Sequence, residues 1–330
     1  MQTTPLGSTG IEVSRLSMGT ATFGAQSDER ASFAMLDACA AAGVNLIDTA
    51  NVYPLGSATA DRGTSERIVG AWLQGRRQHF IVASKGGAKM GHLPGEQGNS
   101  RQHLLAAVDA SLKRLCTVYL DLYQLHYDDP DTPLDETLAA LDTIVRTGRA
   151  RCVGVSNFQA WRLARAIGRC ETRGWVCPVA VQPRYNLLFR QIERDLVPLC
   201  REEGLAVLCY NPLAGGLLSG KHRFDAQAES NSRFGAIRGA DLYKDRYWHE
   251  REFAAVGAFI QLAAEAAIAP VTLSIAWVLA QPGVTSAILG ASRVDQLPAA
   301  LQAADTVVPA DVMTRLNDLS HEFRMGDASR

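Results

Sequence analysis

Eight short apolar runs alternate with longer amphipathic segments along this chain, and this alternation constrains its fold more than any other feature. The apolar runs predict strands at residues 16–19, 44–49, 80–85, 120–126, 152–157, 179–182, 206–210 and 286–290. The intervening periodicity predicts helices at residues 28–42, 65–74, 100–115, 133–147, 159–169, 190–203, 252–267 and 271–280. A glycine directly follows four of these helical segments, as is typical of helix C-termini, and Ser27 or Asp28 is placed to cap the first.

Most of the predicted strands are apolar on both faces, which is typical of parallel strands covered on both sides. Eight strand–helix units in 330 residues predict an α/β fold, a (β/α)8 or TIM barrel that forms a single domain over residues 1–330. An open doubly wound sheet is the alternative, but the nucleotide-binding fingerprint G-x-G-x-x-G follows none of the predicted strands. Residues 1–6 and 11–13 predict a small β-hairpin that plugs the floor of the barrel.

Charge and composition exclude several classes of function. The chain has 33 basic and 34 acidic residues and a formal net charge of −1, whereas nucleic-acid and anionic-membrane surfaces need a dense basic excess. The start of the sequence lacks the pattern of a signal peptide, and no run of about eighteen apolar residues is present to span a bilayer. We therefore expect a cytoplasmic protein with no nucleic-acid or membrane partner.

Motifs for metal and phosphoryl-transfer chemistry are missing or incomplete. The seven cysteines form no C-x-x-C pair and the seven histidines no H-E-x-x-H, so we expect neither a disulfide framework nor a metal. Residues 215–221 nearly match a P-loop, but His222 stands where the magnesium-binding Ser or Thr belongs.

Three loops interrupt the regular alternation. The longest, residues 211–251, has no clear periodicity and mixes aromatic residues with Arg and Lys, which is typical of a functional loop or lid. Residues 54–63 and 86–99 are shorter and similar in character.

Polar residues occupy the ends of six consecutive predicted strands. In a barrel of this kind, active sites form at the C-terminal ends of the strands. The strand-end residues are Asp48, Lys85, His126, Asn157, Gln182 and Tyr210, and Tyr53 lies in the loop after the second strand.

Each of these residues has an ordinary structural explanation when it is taken alone. Asp48 can simply end a strand, Lys85 can extend to solvent, and His126 can be a hydrogen-bonded core histidine. The remaining four can be a rim tyrosine, bridging amides and a packing aromatic.

Taken together, the residues suggest a proton-donating site. A tyrosine is a poor acid at neutral pH, and an adjacent ammonium such as Lys85 is expected to stabilise its phenolate and lower its pKa. Asp48 beside Lys85 would keep the ammonium charged, and His126 would orient and polarise a carbonyl oxygen.

Seven segments in this order resemble a known family. They are Asn45-Leu-Ile-Asp-Thr-Ala-Asn-Val-Tyr53, Ala83-Ser-Lys85, Asp121-Leu-Tyr-Gln-Leu-His126, Gly154-Val-Ser-Asn157, Val181-Gln182, Tyr210 to Lys221 and Gly290-Ala-Ser-Arg293. Over nearly the whole chain the sequence resembles the aldo-keto reductases of the bacterial type with a short C-terminal tail. The resemblance implies a barrel that binds NADPH in extended form, with NADH as a possible substitute, and that reduces an aldehyde or ketone reversibly.

The resemblance also implies roles for individual residues. Tyr53 would be the general acid and base, with Asp48 and Lys85 tuning it and His126 orienting the carbonyl. The residues that would bind the cofactor are Gly19, Thr20, Asp48, Ser156, Asn157, Gln182, Tyr210, Asn211, Pro212, Leu213, Leu217, Ser219, Lys221, Arg233, Gly290, Ser292, Arg293 and Gln296. Many relatives carry Glu-Asn after the Gln-Leu of the adenine-binding segment, whereas Gln296-Leu297 is followed here by Pro-Ala-Ala. Substrate contacts are expected on residues 54–63, 86–99 and 221–250.

Two other functions remain open alternatives. A buried lysine such as Lys85 can act as a nucleophile in a Schiff-base lyase, although a paired Asp48 would keep it protonated. A non-catalytic NADPH-binding regulatory subunit, like the potassium-channel β-subunits that resemble this family, is the other. The sequence predicts a small-molecule carbonyl substrate and leaves monomer and homo-oligomer equally open.

Overall fold

The computed structural model describes residues 1–93, 95–230, 232–235 and 239–325. Two antiparallel strands, β1 (Thr3–Pro5) and β2 (Glu12–Ser14), form a separate small sheet at the N-terminus. The barrel strands are β3 (Leu16–Gly19), β4 (Leu46–Asp48), β5 (Ile81–Gly86), β6 (Leu120–Leu125), β7 (Ala150–Ser156), β8 (Ala180–Gln182), β9 (Ala206–Tyr210) and β10 (Val284–Gly290). They close in the order β10-β3-β4-β5-β6-β7-β8-β9, and every neighbouring pair is parallel. The predicted (β/α)8 barrel is confirmed, and each strand lies within two residues of its predicted bounds.

Helices cover the outside of the barrel. Within the described ranges they are α1 (Glu29–Ala41), α2 (Thr64–Trp72), α3 (Arg101–Arg114), α4 (Leu134–Arg146), α5 (Ala160–Arg173), α6 (Leu196–Glu202), α7 (Ala240–Tyr247), α8 (Glu250–Glu265), α9 (Pro270–Ala280), α10 (Leu297–Gln302) and α11 (Ala310–Leu319). Asp28 caps α1, as predicted, because its side chain accepts a hydrogen bond from the backbone N–H of Ala31.

Four helical regions differ from the prediction. The helix predicted at 190–203 is shortened to α6, because Arg190 is bonded to Glu193, Asn317 and Ser320 and a separate 3₁₀ turn forms at Gln191–Glu193. The helix α7 lies inside the interval 211–251, which was predicted to be irregular. The helices α10 and α11 were not predicted at all.

The N-terminal hairpin closes the floor of the barrel, as predicted. Leu6, Ile11 and Val13 are buried in one cluster with inward-facing side chains of the barrel strands, among them Leu46 and Ala180. The turn between β1 and β2 fits closely against the barrel. Gly7 has φ of +58° there, and a Cβ at this position would lie 2.5 Å from the carbonyl oxygen of Val179.

Inside the barrel, apolar side chains near the floor give way to polar side chains near the top. Successive strand side chains point to opposite faces, so residues two apart along a strand point the same way. The floor cluster contains Leu46, Ala83, Leu122 and Ala180. The next inward residues on the same four strands are Asp48, Lys85, Gln124 and Gln182, and all four are buried. The upper layer of the barrel is therefore polar at the strand ends.

Candidate active site

Asp48 and Lys85 form a buried ion pair in this upper layer. The Lys85 Nζ donates to Asp48 Oδ1 at 2.5 Å and to the carbonyl oxygen of Thr49 at 3.0 Å. Their side chains are only 5 % and 1 % exposed, so each charge depends on the other for stabilisation. The second oxygen of Asp48 accepts from Gln182 Nε2 at 2.8 Å and from Gln124 Nε2 at 3.3 Å. The Asp48 carboxylate is therefore held by side-chain donors from three other strands, β5, β6 and β8.

Tyr53 and His126 lie directly beside this pair. The Lys85 Nζ is 5.2 Å from the centroid of the Tyr53 ring. The Tyr53 and His126 rings meet edge to face, with centroids 5.7 Å apart and planes at 84°. His126 is 5 % exposed, and its Nδ1 has no hydrogen-bond partner within the described part of the chain. The structure thus brings Asp48, Tyr53, Lys85 and His126 together, as the sequence predicted.

The site favours a neutral phenol and a neutral imidazole. Burial, and then the negative charge of Asp48, raise the pKa of Tyr53 well above its ordinary value. Burial, and then the positive charge of Lys85, hold the pKa of His126 well below its ordinary value. Burial also lowers the pKa of Lys85, and the charge of Asp48 opposes that effect.

The expectation that Lys85 lowers the pKa of Tyr53 is therefore wrong. Burial disfavours the phenolate, and the negative charge of Asp48 adds to this effect. The surroundings of Tyr53 therefore favour its protonated phenol.

A second hydrogen-bonded group joins β7, β8 and β9. The Asn157 amide nitrogen donates to the carbonyl oxygen of His126 at 2.9 Å and to Ser156 Oγ at 3.0 Å. The Tyr210 hydroxyl donates to Asn157 Oδ1 at 2.8 Å, and Ser156 Oγ donates to the carbonyl oxygen of Gln182 at 2.8 Å. Asn157 has φ of +60°, a conformation that asparagine tolerates better than most residues, and this turns its amide back over the strand ends. These bonds fix the Tyr210 ring at the mouth of the barrel, where the sequence predicted it.

The loop after β9 contains most of the other predicted cofactor residues. Asn211 has φ of +62° and accepts from the backbone N–H of Gly215, while the Pro212 carbonyl accepts from Ser274 Oγ. Leu217 is fully buried in the apolar core, so its side chain does not face the mouth. Leu213 and Ser219 are half-buried, and Lys221 is exposed.

The other predicted cofactor residues lie at or just after the ends of β3 and β10, except Arg233, which lies in the interval 211–251. Gly19 pairs with Gly290, and the Thr20 hydroxyl donates to the carbonyl oxygen of Asp48. Gln296 accepts from the backbone N–H of Ser292 and thereby shapes the loop after β10. Arg293 pairs with Asp295, and both side chains are more than half exposed. Arg233 is near enough to Tyr53 for its charge to oppose the rise in the phenol pKa.

Most aromatic residues of the loop 211–251 pack on one another rather than facing a ligand. Phe234 lies 5.1 Å from both His222 and Trp248, measured between ring centroids, and Trp248 lies 4.9 Å from Phe253. Tyr247 is fully buried, and its hydroxyl is bonded to the side-chain nitrogens of Asn186 and Asn211. The packing of these rings on one another stabilises the loop, and this accounts for the many aromatic residues in its sequence.

Two residues of α7 face the site. The charge of Arg246 acts on the pKa of both Tyr127 and Tyr210, and Tyr243 interacts with Tyr53 and Tyr127. Arg246 is half-buried and has no ion pair among the residues that the structure describes. It therefore brings to the mouth of the barrel a positive charge that no described carboxylate pairs with.

Sequence reasoning missed Gln124 and Arg246. Gln124 had a readable signal, because it lies two residues before His126 on the same strand and therefore faces the same side. Arg246 had only its place in the predicted substrate loop 221–250, since the position of α7 is what brings this residue to the mouth.

Three negative findings apply to the described ranges. No group of three or more His, Cys, Asp or Glu residues is arranged to hold a metal ion there. The seven cysteines are all free. No single helix there meets the length and apolarity needed to cross a membrane, although α8 and α9 do so jointly across a 97° bend.

Comparison with known proteins gives one consistent match. The model of the aldo/keto reductase family matches residues 15–321. An uncharacterized oxidoreductase, YrpG, of Bacillus subtilis is 35 % identical over 97 % of this chain and 96 % of its own length. A probable voltage-gated potassium channel subunit beta of Arabidopsis thaliana is 33 % identical over 93 % of this chain and 92 % of its own. Human aflatoxin B1 aldehyde reductase member 2 is 32 % identical over 87 % of this chain and 81 % of its own.

Proposed function

The chain belongs to the aldo/keto reductase family, and we propose that it is an NADPH-dependent oxidoreductase that reversibly reduces an aldehyde or ketone to the alcohol. One observation carries this proposal. The buried Asp48–Lys85 pair lies beside Tyr53, and Tyr53 lies edge to face with His126, all at the C-terminal ends of the barrel strands. The reaction is assigned to one domain, residues 1–330.

The residues around the mouth suit a nicotinamide dinucleotide phosphate. Tyr210 offers a flat ring that its bond to Asn157 holds in one orientation, as stacking on a nicotinamide requires. Lys221, Arg233 and Arg293 supply positive charge in the loops that follow β9 and β10, where the phosphates would lie. The Arg293–Asp295 pair is exposed and thus weak, so this guanidinium is available to a phosphate.

Each catalytic side chain has a distinct task in the proposed reaction. When bound, the reduced nicotinamide supplies a hydride to the carbonyl carbon. Tyr53, whose pKa is raised by burial, gives its proton to the carbonyl oxygen. Neutral His126 donates a hydrogen bond to the same oxygen and orients it. The Lys85 ammonium then stabilises the tyrosinate that remains, and Asp48 keeps that ammonium in place.

The mouth of the barrel favours a carbonyl compound with a negatively charged group. Arg246 forms no ion pair with a described carboxylate, and its charge opposes the rise in the pKa of Tyr127 and Tyr210 at the mouth. A carboxylate or phosphate on the substrate would pair with this guanidinium at a site that is partly shielded from water.

Two other functions are weighed against this one. A Schiff-base lyase needs Lys85 uncharged, and the 2.5 Å bond to Asp48 stabilises the ammonium instead. A regulatory subunit without turnover is favoured by one specific observation, the similarity to the probable potassium channel subunit of Arabidopsis thaliana. Tight NADPH binding without turnover of any carbonyl would support the regulatory function.

The test compares Tyr53→Phe with a matched tyrosine far from the site. Tyr119 lies before β6 at the floor of the barrel, under the guanidinium of Arg77. We expect Tyr53→Phe to lower kcat for carbonyl reduction by about 10²- to 10⁴-fold, because general acid catalysis contributes about this much. NADPH binding, followed by quenching of tryptophan fluorescence, should be retained, and Tyr119→Phe should change neither quantity.

Two outcomes would contradict the proposal. Undiminished reduction by Tyr53→Phe would remove Tyr53 as the proton donor. If neither NADPH nor NADH bound saturably to the wild-type protein, the proposed cofactor would be refuted, and with it the proposed oxidoreductase function.

A further inference from the structure

The first turn of α2 is hydrogen-bonded to the ends of β3 and β4, and Asp48 is the last residue of β4. Ser65 Oγ donates to the backbone oxygen of Thr20 at 2.9 Å and lies 2.7 Å from the Thr20 hydroxyl. It also lies 3.1 Å from the Thr49 hydroxyl. Thr20 in turn donates to the carbonyl oxygen of Asp48, and Thr49 supplies the carbonyl that accepts from Lys85. The start of α2 is thus hydrogen-bonded to Thr20, which donates to the Asp48 carbonyl, and to Thr49, which follows Asp48 in the chain.

The same turn is bonded to the loop that carries Tyr53. The backbone N–H of Gly63 donates to the carbonyl oxygen of Tyr53 at 2.9 Å, and that of Ser65 does so at 3.4 Å. The helix start therefore contacts the surroundings of two of the four proposed catalytic residues.

Glu66 extends this contact to the strand that carries Lys85. Its side chain is fully buried, with Oε1 accepting from Ser84 Oγ at 2.5 Å and Oε2 accepting from Arg114 Nε at 2.6 Å. Ser84 directly precedes Lys85 on β5, so the two side chains point to opposite faces of the barrel wall. The Glu66 carboxylate thus lies on the outer face of β5, next to the point where the Lys85 side chain extends from the inner face.

We propose that Glu66 is a positioning residue for Lys85 in the proposed reductase reaction. Through Ser84 it fixes the backbone of β5 next to the lysine, and its carboxylate is a second negative charge near the ammonium, in addition to Asp48. This inference rests on the proposed function for its relevance to catalysis, while the effect on Lys85 itself does not.

The electrostatics agree with the geometry. The charge of Glu66 raises the pKa of Lys85, in the same direction as the charge of Asp48, against the lowering caused by burial. A lysine that faces Tyr53 must stay protonated to stabilise a tyrosinate, so each nearby carboxylate extends the pH range of that role.

The alternative is that the Glu66–Arg114 pair only joins α2 and α3 to the barrel. Removal of either partner would then perturb Lys85 to the same degree, because either change breaks the same pair. A positioning role predicts different results for the two variants. Loss of Glu66 removes negative charge near Lys85 and lowers the Lys85 pKa, whereas loss of Arg114 does not lower it.

The chain has only five lysines, so a direct measurement on Lys85 is practical. We would label the lysine ε-carbons with ¹³C and follow each resonance against pH by NMR, with Lys85→Met assigning the Lys85 signal. Glu66→Gln should lower the Lys85 pKa by about half a unit or more, given an effective dielectric constant near 20. Arg114→Met should not lower it.

A matched control is available at the other end of the barrel. Asp121 is also a buried carboxylate paired with arginines, Arg77 and Arg151, but it lies on β6 near the floor. Asp121→Asn should leave the Lys85 pKa unchanged. If Glu66→Gln does not fold, the comparison is made between Arg114→Met and the double variant Glu66→Gln with Arg114→Met, in which no buried charge is left unpaired. The Lys85 pKa should be lower in the double variant than in Arg114→Met, and equal values would overturn the role of Glu66.

The outcomes separate this inference from the proposed function. An unchanged Lys85 pKa in Glu66→Gln, or an equal shift in Arg114→Met, overturns the role of Glu66 whether or not the wild-type protein reduces carbonyls. An inactive wild-type protein refutes the reductase proposal and leaves the NMR result standing. In an active protein, the alkaline limb of the kcat/KM profile should move to lower pH in Glu66→Gln by the same shift.

Discussion

Removal of the Asp48 charge is the sharpest perturbation of the proposed site. Asp48→Asn keeps the size of the side chain and takes away the counter-charge of Lys85, to which Asp48 is bonded at 2.5 Å. Lys85 keeps the carbonyl oxygen of Thr49 as an acceptor at 3.0 Å. Gln182 and Gln124, which now donate to the second carboxylate oxygen, would face an amide instead. In this variant the buried Lys85 ammonium therefore keeps one neutral acceptor, the carbonyl oxygen of Thr49.

The expected cost follows from the burial of the pair. Breaking a buried ion pair by removing one partner costs about 3–5 kcal/mol, and the remaining Thr49 acceptor places this variant near the lower figure, about 3 kcal/mol. At 1.36 kcal/mol per unit, that cost corresponds to a further drop of about two units in the Lys85 pKa. The pKa of Lys85 in the folded protein already lies below its ordinary value because of burial.

The sign of the pH dependence is fixed by linkage. A lysine whose pKa is depressed on folding destabilises the protein fully below its folded pKa, and this cost vanishes as the pH rises through the unfolded value of about 10.4. The stability difference between wild type and Asp48→Asn should therefore be largest near neutral pH and shrink toward pH 10.

The assay is urea unfolding of wild type, Asp48→Asn, Lys85→Met and the double variant at pH 7 and at pH 9.5. We expect Asp48→Asn to lower the urea midpoint at pH 7 and to lower it less at pH 9.5. In the Lys85→Met background the same substitution should cost little, since no buried ammonium remains. A midpoint shift that is independent of both pH and Lys85 would refute the electrostatic reasoning.

Three further predictions concern the cofactor, the substrate and the barrel floor. Tyr210→Phe loses the bond to Asn157 but keeps the ring, so NADPH affinity should fall by only a few-fold, since one hydrogen bond contributes about 1 kcal/mol; Tyr210→Ala should weaken binding much more in fluorescence titrations. Arg246→Met should lower kcat/KM at least about tenfold for a carboxylated aldehyde, as the loss of a charged hydrogen bond predicts, and leave that of a neutral aldehyde unchanged in steady-state assays. Gly7→Ala should lower the melting temperature by calorimetry, because the new Cβ would lie 2.5 Å from the carbonyl oxygen of Val179, and Gly10→Ala, with open space around it, should cost less.

The barrel was predictable because its strands are marked by local pattern alone. Every residue of the strand β6 is buried, and a closed parallel sheet covered by helices is the arrangement that buries both faces of a strand. The helices α10 and α11 escaped prediction because they are short and half-exposed, and their packing on the rest of the barrel stabilises them. Likewise, the 3₁₀ turn in place of a longer α6 is set by bonds from Arg190 to distant residues, which no local pattern records.

The candidate site was predictable where residue position along a strand determines its direction. Strand ends of a parallel barrel meet at one mouth, and the four residues at or within one residue of a strand end are Asp48, Lys85, His126 and Gln182. Gln124 was missed because only the last residue of each strand was considered, although the two-residue period places it on the same face as His126. The inward layer of a barrel is better predicted from alternate residues than from strand ends alone.

The pKa of Tyr53 was beyond prediction from the sequence because its sign depends on a balance between distances. The sequence places a lysine and an aspartate near the tyrosine, and these act on the phenol in opposite directions. In the folded protein, Lys85 is bonded directly to Asp48, burial of the phenol raises the Tyr53 pKa, and the charge of Asp48 raises it further. A raised pKa suits the reductive direction, because the proton donor stays loaded at neutral pH. In the proposed reaction Lys85 would then stabilise the tyrosinate, and the proposed role of Glu66, which is bonded to Ser84 on the same strand, concerns the charge of Lys85 in that step.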